Sequence, residues 1–417
     1  MSNKKLITPR ILKGFRDFLP AEKKKRDFVL EKIKQTFELF GFEPLETPTL
    51  EYASVLLDKY GEEADKMVYT FKDRGGRELA LRYDQTVPTA RVLAQYQKQL
   101  PRCFRRYQLQ NVFRADKPQK GRYREFTQCD IDIFGSTSPL ADAEIIACAY
   151  FAFKNIGYPK IVLRLNDRRV LFDVLQKYAS NKLPVLSIIQ TFDKLDKKPE
   201  AEVLQELTNK GLTSKQGQEA LREIQRAKIS DNLRQIINLS QALGVPEKAM
   251  QFSPSLARGL DYYTGMIFEV VLPEDKTGSF GGGGRYDNLI AKLSGIDIPA
   301  VGIAFGFDRM VEAAEKLNLV TTENTGVKTL VTCFDAASLP RALTAASRLR
   351  EKNINTEVFP MIEKIDKQLK YADKNNIPYV IIIGPDEAAK NMVTLKDMKT
   401  GKQETLTLEK AINVLKA

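Results

Sequence analysis

Residues 113–126 read FRADKPQKGRYREF and carry five cationic side chains, Arg114, Lys117, Lys120, Arg122 and Arg124, against only Asp116 and Glu125. An apolar, alternating segment precedes this stretch (Tyr107, Leu109, Phe113) and another follows from Phe126, so the pattern predicts a long hairpin with the charges at its tip. Charge runs are usually solvated surface. The strand that follows, FTQCDIDIFG at 126–135, argues for more here. Its period-two alternation puts Gln128, Asp130 and Asp132 on one face and Cys129, Ile131 and Ile133 on the other. Cations at the tip suit phosphates, and carboxylates along the strand suit an ammonium group or a metal ion.

The chain around this hairpin has 417 residues, 43% hydrophobic and 28% charged, enough for two or three domains with real cores. Sixty-five Lys and Arg against fifty-three Asp and Glu leave a net charge of +12, which favours polyanions and makes nucleic acid the first partner to consider. The start, MSNKKLITPRILKGF, lacks the apolar core of a signal peptide, and no apolar run reaches membrane-spanning length. A cytoplasmic protein is expected. Four cysteines (Cys103, Cys129, Cys148, Cys333) are far apart with no CxxC pair, which argues against a disulfide framework or a thiolate zinc site; buried small apolar roles are expected.

Histidine is absent. Imidazole general bases, Ser-His and Cys-His pairs and His-ligated metals are thereby excluded. Chemistry must run on Arg, Lys, Asp, Glu, Tyr and bound ions. Phosphoryl or nucleotidyl transfer fits, because it needs positioning and charge stabilisation more than proton shuttling.

Along the chain, residues 23–40 repeat Phe28, Ile33, Phe37 and Phe40 at helical spacing, and Gly41 ends that helix. Short strands are expected around 44–50 and 78–82, and a helix over 139–155. From Asn166 to about Gly244 the sequence is helical and polar, as an inserted module would be. Strand character returns at 266–272, followed by a glycine-rich loop (Gly278, Gly281 to Gly284), a short helix and VGIAFGFDRM at 301–310. Residues 318–327 form a linker. Beyond it, strands and helices alternate as in a compact α/β domain with a largely parallel sheet.

Further polar clusters lie at LRYDQT (81–86), with Arg82, Asp84, Gln85 and Thr86 crowded at a strand end, and at RGLDYYTG (258–265), where Arg258 and Asp261 meet the aromatic pair Tyr262 and Tyr263. The run GSFGGGGRYD is neither a P-loop, since Gly284 and Arg285 stand where Lys and Ser or Thr belong, nor a dinucleotide fingerprint.

Three segments resemble, in order, the signature motifs of class II aminoacyl-tRNA synthetases. GFEPLETPTL (41–50) resembles the first, with Pro48 at the dimer-interface position. FRADKPQKGRYREF resembles the second through Arg114 and the Arg122 to Phe126 pattern, and GIAFGFDRM the third, ending in Arg309. LRYDQT, KGRYREF with QCDID, RGLDYYTG, GGGGRYDNL and KGFRDFLP are similar to segments peculiar to the histidyl-tRNA synthetase family, and the similarity spans the chain. Asp116, Ala304 and Asp308 depart mildly, standing where class II enzymes often have Glu, Gly and Glu.

The resemblance implies an α+β class II catalytic domain over 1–320, an antiparallel sheet flanked by helices with a helical insertion at 167–250. A linker at 321–327 and a C-terminal α/β anticodon-binding domain at 328–417 would follow. It implies ATP-dependent attachment of L-histidine to tRNA(His), in a homodimer, with Mg2+ held mainly by ATP phosphates and no protein metal ligand. Neither membrane nor DNA is an implied partner. Arg114 and Arg258 are the implied catalytic residues. Arg114, Arg122, Arg124, Arg309 and Asp116 are implied for ATP, and Asp84, Thr86, Gln128, Asp132, Tyr262, Tyr263 and Tyr286 for histidine. Lys117, Gln119 and Lys120 are implied for the tRNA acceptor end. Two rivals are a non-catalytic, synthetase-like regulatory subunit of histidine biosynthesis and an ATP-independent RNA-binding protein. The first usually lacks the anticodon-binding domain and erodes the arginine motifs; the second leaves Asp84, Asp132 and RGLDYYTG without purpose.

Overall fold

A computed structural model describes residues 8–57, 67–117, 123–196, 198–258, 262–275, 278–320 and 326–416. The chain divides into two units, residues 1–320 and 321–417.

The first unit is built on a sheet whose strands, in chain order, are β1 (Glu43–Pro44), β5 (Phe104–Phe113), β6 (Glu125–Phe134), β7 (Val162–Asp167), β8 (Met250–Phe252), β9 (Met266–Val271), β10 (Gly281–Arg285) and β11 (Ala300–Phe305). A smaller sheet holds β2 (Leu50–Tyr52), β3 (Thr70–Lys72) and β4 (Glu78–Leu81). The large sheet runs β1-β5-β6-β11-β10-β9-β7-β8 and is antiparallel except where β1 meets β5 and β7 meets β8. The hairpin is present: β5 and β6 pair from Phe113 with Glu125 down to Phe104 with Phe134.

The glycine run expected as a loop is instead β10, paired with β9 and β11 and wholly buried. Glycine presents no side chain for a periodic pattern, and here the missing side chains are what the packing requires. A Cβ at Gly283 would fall 2.0 Å from the carbonyl oxygen of Gly302, and one at Gly284 2.4 Å from that of Met266.

One sheet face is apolar. Helix Pro20–Leu39 packs Val29, Ile33 and Phe37, at i, i+4 and i+8, against Ile131, Ile303 and Phe268, joined by Ile145, Cys148 and Phe153 of helix Pro139–Ile156. The buried stripe begins at Val29, because Phe28 and Phe40 only flank this core. Ser138 accepts from the Leu140 amide to open the second helix, and Gly157, at φ 109°, closes it.

Helices Arg168–Leu175, Val185–Phe192, Glu200–Asn209 and Ser214–Arg226 form the inserted module. Its core (Leu171, Ile188, Phe192, Val203, Leu221) continues into Phe134, Tyr263 and Tyr286 of the sheet's other face. Helix Asp231–Ala242 behaves differently, sending Leu233 and Ile236 into the core beneath the sheet.

The second unit has its own cores, drawn from residues 327–415. Its sheet contains β12 (Thr329–Val331), β13 (Thr356–Val358), β14 (Tyr379–Ile382), β15 (Val393–Asp397) and β16 (Gln403–Leu406), in the order β13-β12-β14-β15-β16. The expected largely parallel sheet is mixed: β12 is parallel to both neighbours, whereas β14-β15 and β15-β16 are antiparallel. Helix Pro385–Lys390, absent from the sequence reading, turns the chain between β14 and β15 and allows the reversal. Cys129, Cys148 and Cys333 are buried as expected, but Cys103 is exposed.

Candidate active site

The sheet face opposite the first core carries a polar trough. Residues paired directly across antiparallel strands share a face, so register alone builds two rows. Arg106, Asp132, Gly302 and Gly284 form one. Gln108, Asp130, Ala304, Gly282 and Glu269 form the other. Each row has an acid on β6 and glycine or alanine on β11 and β10; beyond them the first row meets Ile267 and the second the carboxylate of Glu269. With strands about 4.8 Å apart, the small residues make a floor about two strands wide between polar walls.

The first wall is a clamp around Asp132. Arg106, with no exposed surface, brings Nη2 to 2.6 Å from Asp132 Oδ2, and the Tyr286 hydroxyl donates to Asp132 Oδ1. Gly302 is required there, since a Cβ would fall 1.8 Å from that same oxygen. Burial raises the Asp132 carboxyl, while Arg106 and the Tyr286 hydroxyl pull it down. Burial also raises the Tyr286 hydroxyl well above its ordinary value, reinforced by Asp132. The tyrosine therefore stays a donor. Arg106 was not foreseen. Yet the hairpin register sets it opposite Asp132, so counting pairs back from the tip would have found it.

At the second wall, Arg258 Nη1 donates to Glu269 Oε1 at 2.7 Å. Its backbone lies in the left-handed region at φ 51°, a strained conformation of the kind concentrated at functional sites. The guanidinium occupies the space a Cβ on Gly282 would take, 2.2 Å from Nη1. Burial works against its charge, but Tyr263, then Glu269, more than offset this and hold Arg258 protonated. Glu269 was also missed, although a lone carboxylate in the apolar strand MIFEVV signals a buried partner.

The aromatics close the trough. Tyr262 and Tyr263 have ring centroids 4.7 Å apart, and Tyr262 meets Tyr286 edge-on at 5.8 Å. Asp84 Oδ1 accepts from the Val87 amide at the start of helix Thr86–Gln95, which fixes Asp84 beside Thr86. Gln85, fully buried, ties this corner to the hairpin by donating to the Gln110 and Gln128 carbonyls. Arg82 serves the scaffold, donating to the Asn111 and Thr47 carbonyls.

Arg114 donates to the Tyr83 carbonyl and lies 5.1 Å from the Phe126 ring centroid, next to the Asp84 corner. Arg309, on helix Phe307–Lys316, donates to the Ser279 carbonyl near the end of the glycine floor. Arg124 instead holds the hairpin tip, donating to the carbonyls of Asp116 and Lys13. Asp116 is half-buried and Lys117 exposed; Gln119, Lys120 and Arg122 lie outside the described residues, as does Asp261. Asp308 receives Arg16 at 2.9 Å and Arg26 at 2.5 Å, so KGFRDFLP is strapped to the segment resembling the third motif. Among the described residues, no group of three or more Asp, Glu or Cys is arranged to cage a cation.

A histidyl-tRNA synthetase family model matches residues 14–310, and an anticodon-binding domain model matches residues 324–417. Among curated proteins, the histidine--tRNA ligase of Wolinella succinogenes is 38% identical, with 100% of each chain covered. That of Christiangramia forsetii is 38% identical over 98% of this chain and 99% of its own. Among solved structures, histidyl-tRNA synthetase from Nostoc sp. PCC 7120 superposes with a TM-score of 0.86 at 30% identity, covering 99% of both chains. A Bacillus halodurans chain described as an ATP phosphoribosyltransferase regulatory subunit/histidyl-tRNA synthetase shares the fold, with a TM-score of 0.73 at 21% identity over 89% of this chain and 97% of that one.

Proposed function

The chain belongs to the histidyl-tRNA synthetase family, and from that premise we propose how its trough carries out the reaction. The chain is an aminoacyl-tRNA synthetase that uses ATP to attach histidine to tRNA. Fold alone does not separate it from a regulatory subunit, since the Bacillus halodurans chain shares that fold. The match to an anticodon-binding domain and the presence of Arg114, Arg258 and Arg309 favour the enzyme.

The carrying observation is that Asp132, clamped by Arg106 and Tyr286, shares one sheet face and one glycine floor with Arg258. Asp132 with the Tyr286 hydroxyl and Tyr263 forms the imidazole end of the pocket. Asp84, Thr86 and Gln128 receive the ammonium group, and Tyr262 walls the pocket between them. The histidine carboxylate then lies between Arg114 and Arg258, in line for attack on the α-phosphorus of ATP. Positioning and neutralisation of the crowded anion carry this step, and no protein base is required. A histidine-free chain can perform it. Arg114 and Arg258 hold the α-phosphate, while Arg309 and Arg122 take the outer phosphates or the adenine, with Asp116 near the base. Arg124 contributes by shaping the tip.

Mg2+ would arrive with the triphosphate, held mainly by its phosphates, and would neutralise phosphate charge there. Lys117, Gln119 and Lys120 are assigned to the acceptor end of tRNA(His). The helical insertion and the second unit are assigned to the rest of that tRNA. We assign a homodimer to the Pro48 face, a cytoplasmic location, and no DNA partner.

A pocket satisfying both polar ends of histidine rejects apolar isosteres by about 10⁴ or more. ATP–pyrophosphate exchange with each of the twenty amino acids tests this reading. Exchange with histidine alone is expected; exchange with none, or equally with several, would overturn it.

A further inference from the structure

One buried carboxyl in the trough is not accounted for by that assignment. Asp130 is only 5% exposed, and its Oδ1 has no hydrogen-bond partner among the described residues. Gln128, next on the same face and 9% exposed, likewise has an Oε1 without a donor. Two acceptors on adjacent same-face positions, both buried and both lacking a protein donor, cost stability unless water or a ligand supplies the hydrogen, and a ligand's N–H groups would displace such water.

Position decides what that ligand is. Asp130 lies between Gln128, at the ammonium end, and Asp132, at the imidazole end. The charged groups around it are Arg106 on β5, Asp132 on its own strand, Asp84 at the head of helix Thr86–Gln95 and Arg114 at the hairpin tip. From β11 its neighbour is Ala304, which brings no charge. Three carboxyls thus face two guanidiniums, and Arg106 is already committed to Asp132. A cation with several N–H donors satisfies both the charge and the open acceptors.

We propose that Asp130 is a further ligand for the α-ammonium of histidine, completing with Asp84 and Gln128 a three-sided cradle. The inference rests on the functional reading above and extends it. Burial first, and then Asp132 and Asp84 against the opposing pull of Arg106 and Arg114, push the free carboxyl up to about 8. At pH 7 it is therefore mostly protonated. The arriving ammonium supplies the missing opposite charge, the carboxyl ionises, and the proton leaves to solvent.

The test uses the full-length enzyme and histidine alone. Calorimetric titrations at pH 7 in phosphate and in Tris report protons released per histidine bound. The wild type is expected to release about one more than Asp130→Asn. The histidine KM in pyrophosphate exchange should fall about fivefold between pH 7 and pH 8 in the wild type, following ionisation of a group near 8, and stay level in Asp130→Asn. Equal proton release and equal KM profiles in the two proteins would overturn the proposal. Should the variant not fold, the wild type decides alone: a level KM between pH 7 and pH 8 with no proton released overturns the proposal, and the fall with release supports it. A wild type that activates a different amino acid defeats the functional reading itself, whereas one that activates histidine with no Asp130 dependence defeats only this inference.

Discussion

At the scale of single residues, the site depends as much on absent side chains as on those present. Gly282 leaves the space in which the Arg258 guanidinium meets Glu269. Gly282→Ala is therefore expected to act as an arginine variant. A Cβ 2.2 Å from Nη1 displaces the guanidinium, whose side chain can move, and stability changes little. Removing one preorganised donor costs about 3 kcal/mol of transition-state energy, or roughly 10² to 10³ in rate. Single-turnover adenylate formation should fall by about that factor in both Gly282→Ala and Arg258→Ala, and the double variant should be no worse than Arg258→Ala. Asp130 makes the complementary point about charge. Its carboxyl moves from 3.8 to about 8 on folding, so the native state holds a proton the unfolded chain has lost. The stability tied to that proton is complete below pH 4 and is lost as pH rises to about 8. Asp130→Asn, which cannot ionise, should thus gain stability relative to the wild type across that interval, read as a rising difference in urea midpoint from pH 4 to pH 8.

Among the elements, the hairpin was the most legible, because alternating apolar residues fix both strands and the charges mark the turn. Its register then sets the acids of β6 against Arg106 and Gln108. The glycine strand was illegible for an equally physical reason. Periodicity is carried by side chains, and β10 contributes only Arg285 to any pattern. What makes Gly281 to Gly284 a strand is the closeness of β9 and β11, which sequence does not display. Gly283→Ala should expose this difference. Its Cβ would stand 2.0 Å from the Gly302 carbonyl oxygen and 2.7 Å from Ile303 Cα, both backbone, so the strands must part. Overpacking of this kind costs about 1 to 3 kcal/mol, and thermal unfolding should report a Tm several degrees lower. Gly282→Ala, by contrast, meets only a side chain and should leave Tm nearly unchanged. The Arg16 and Arg26 strap on Asp308 was equally hidden, since almost 300 residues separate its ends and no local pattern links them.

On the scale of the whole molecule, the basic composition and the order of motifs reveal the class of partner, whereas the surfaces that meet partners emerge only from folding. Register places Tyr52, Leu79 and Phe71 side by side across the small sheet, with Tyr52 at 54% and Phe71 at 44% exposure. Pro48, Leu50 and Tyr96 line the same hollow as Tyr52 and Leu79. An apolar patch of this kind marks an interface, and a second copy is the occupant assigned here. If that assignment holds, the protein sediments as a dimer and Tyr52→Glu as a monomer, read by sedimentation velocity. The two units make a further separation testable. Among the described residues, no core cluster mixes residues from before 320 with residues after 327, so the first unit has the means to fold alone, and every assigned ATP and histidine ligand lies within it. A chain ending at residue 320 should keep histidine-dependent pyrophosphate exchange within about threefold, since no group in the chemistry is lost. Charging of tRNA should fail differently: KM for tRNA should rise about tenfold or more, because the second unit's contacts no longer raise the effective concentration of the acceptor end at the trough. The salt dependence of tRNA binding should flatten along with it, as fewer phosphates are neutralised. A truncated chain that charged tRNA as well as the whole protein would remove the second unit from recognition, and one that lost exchange would show that the two units share a site.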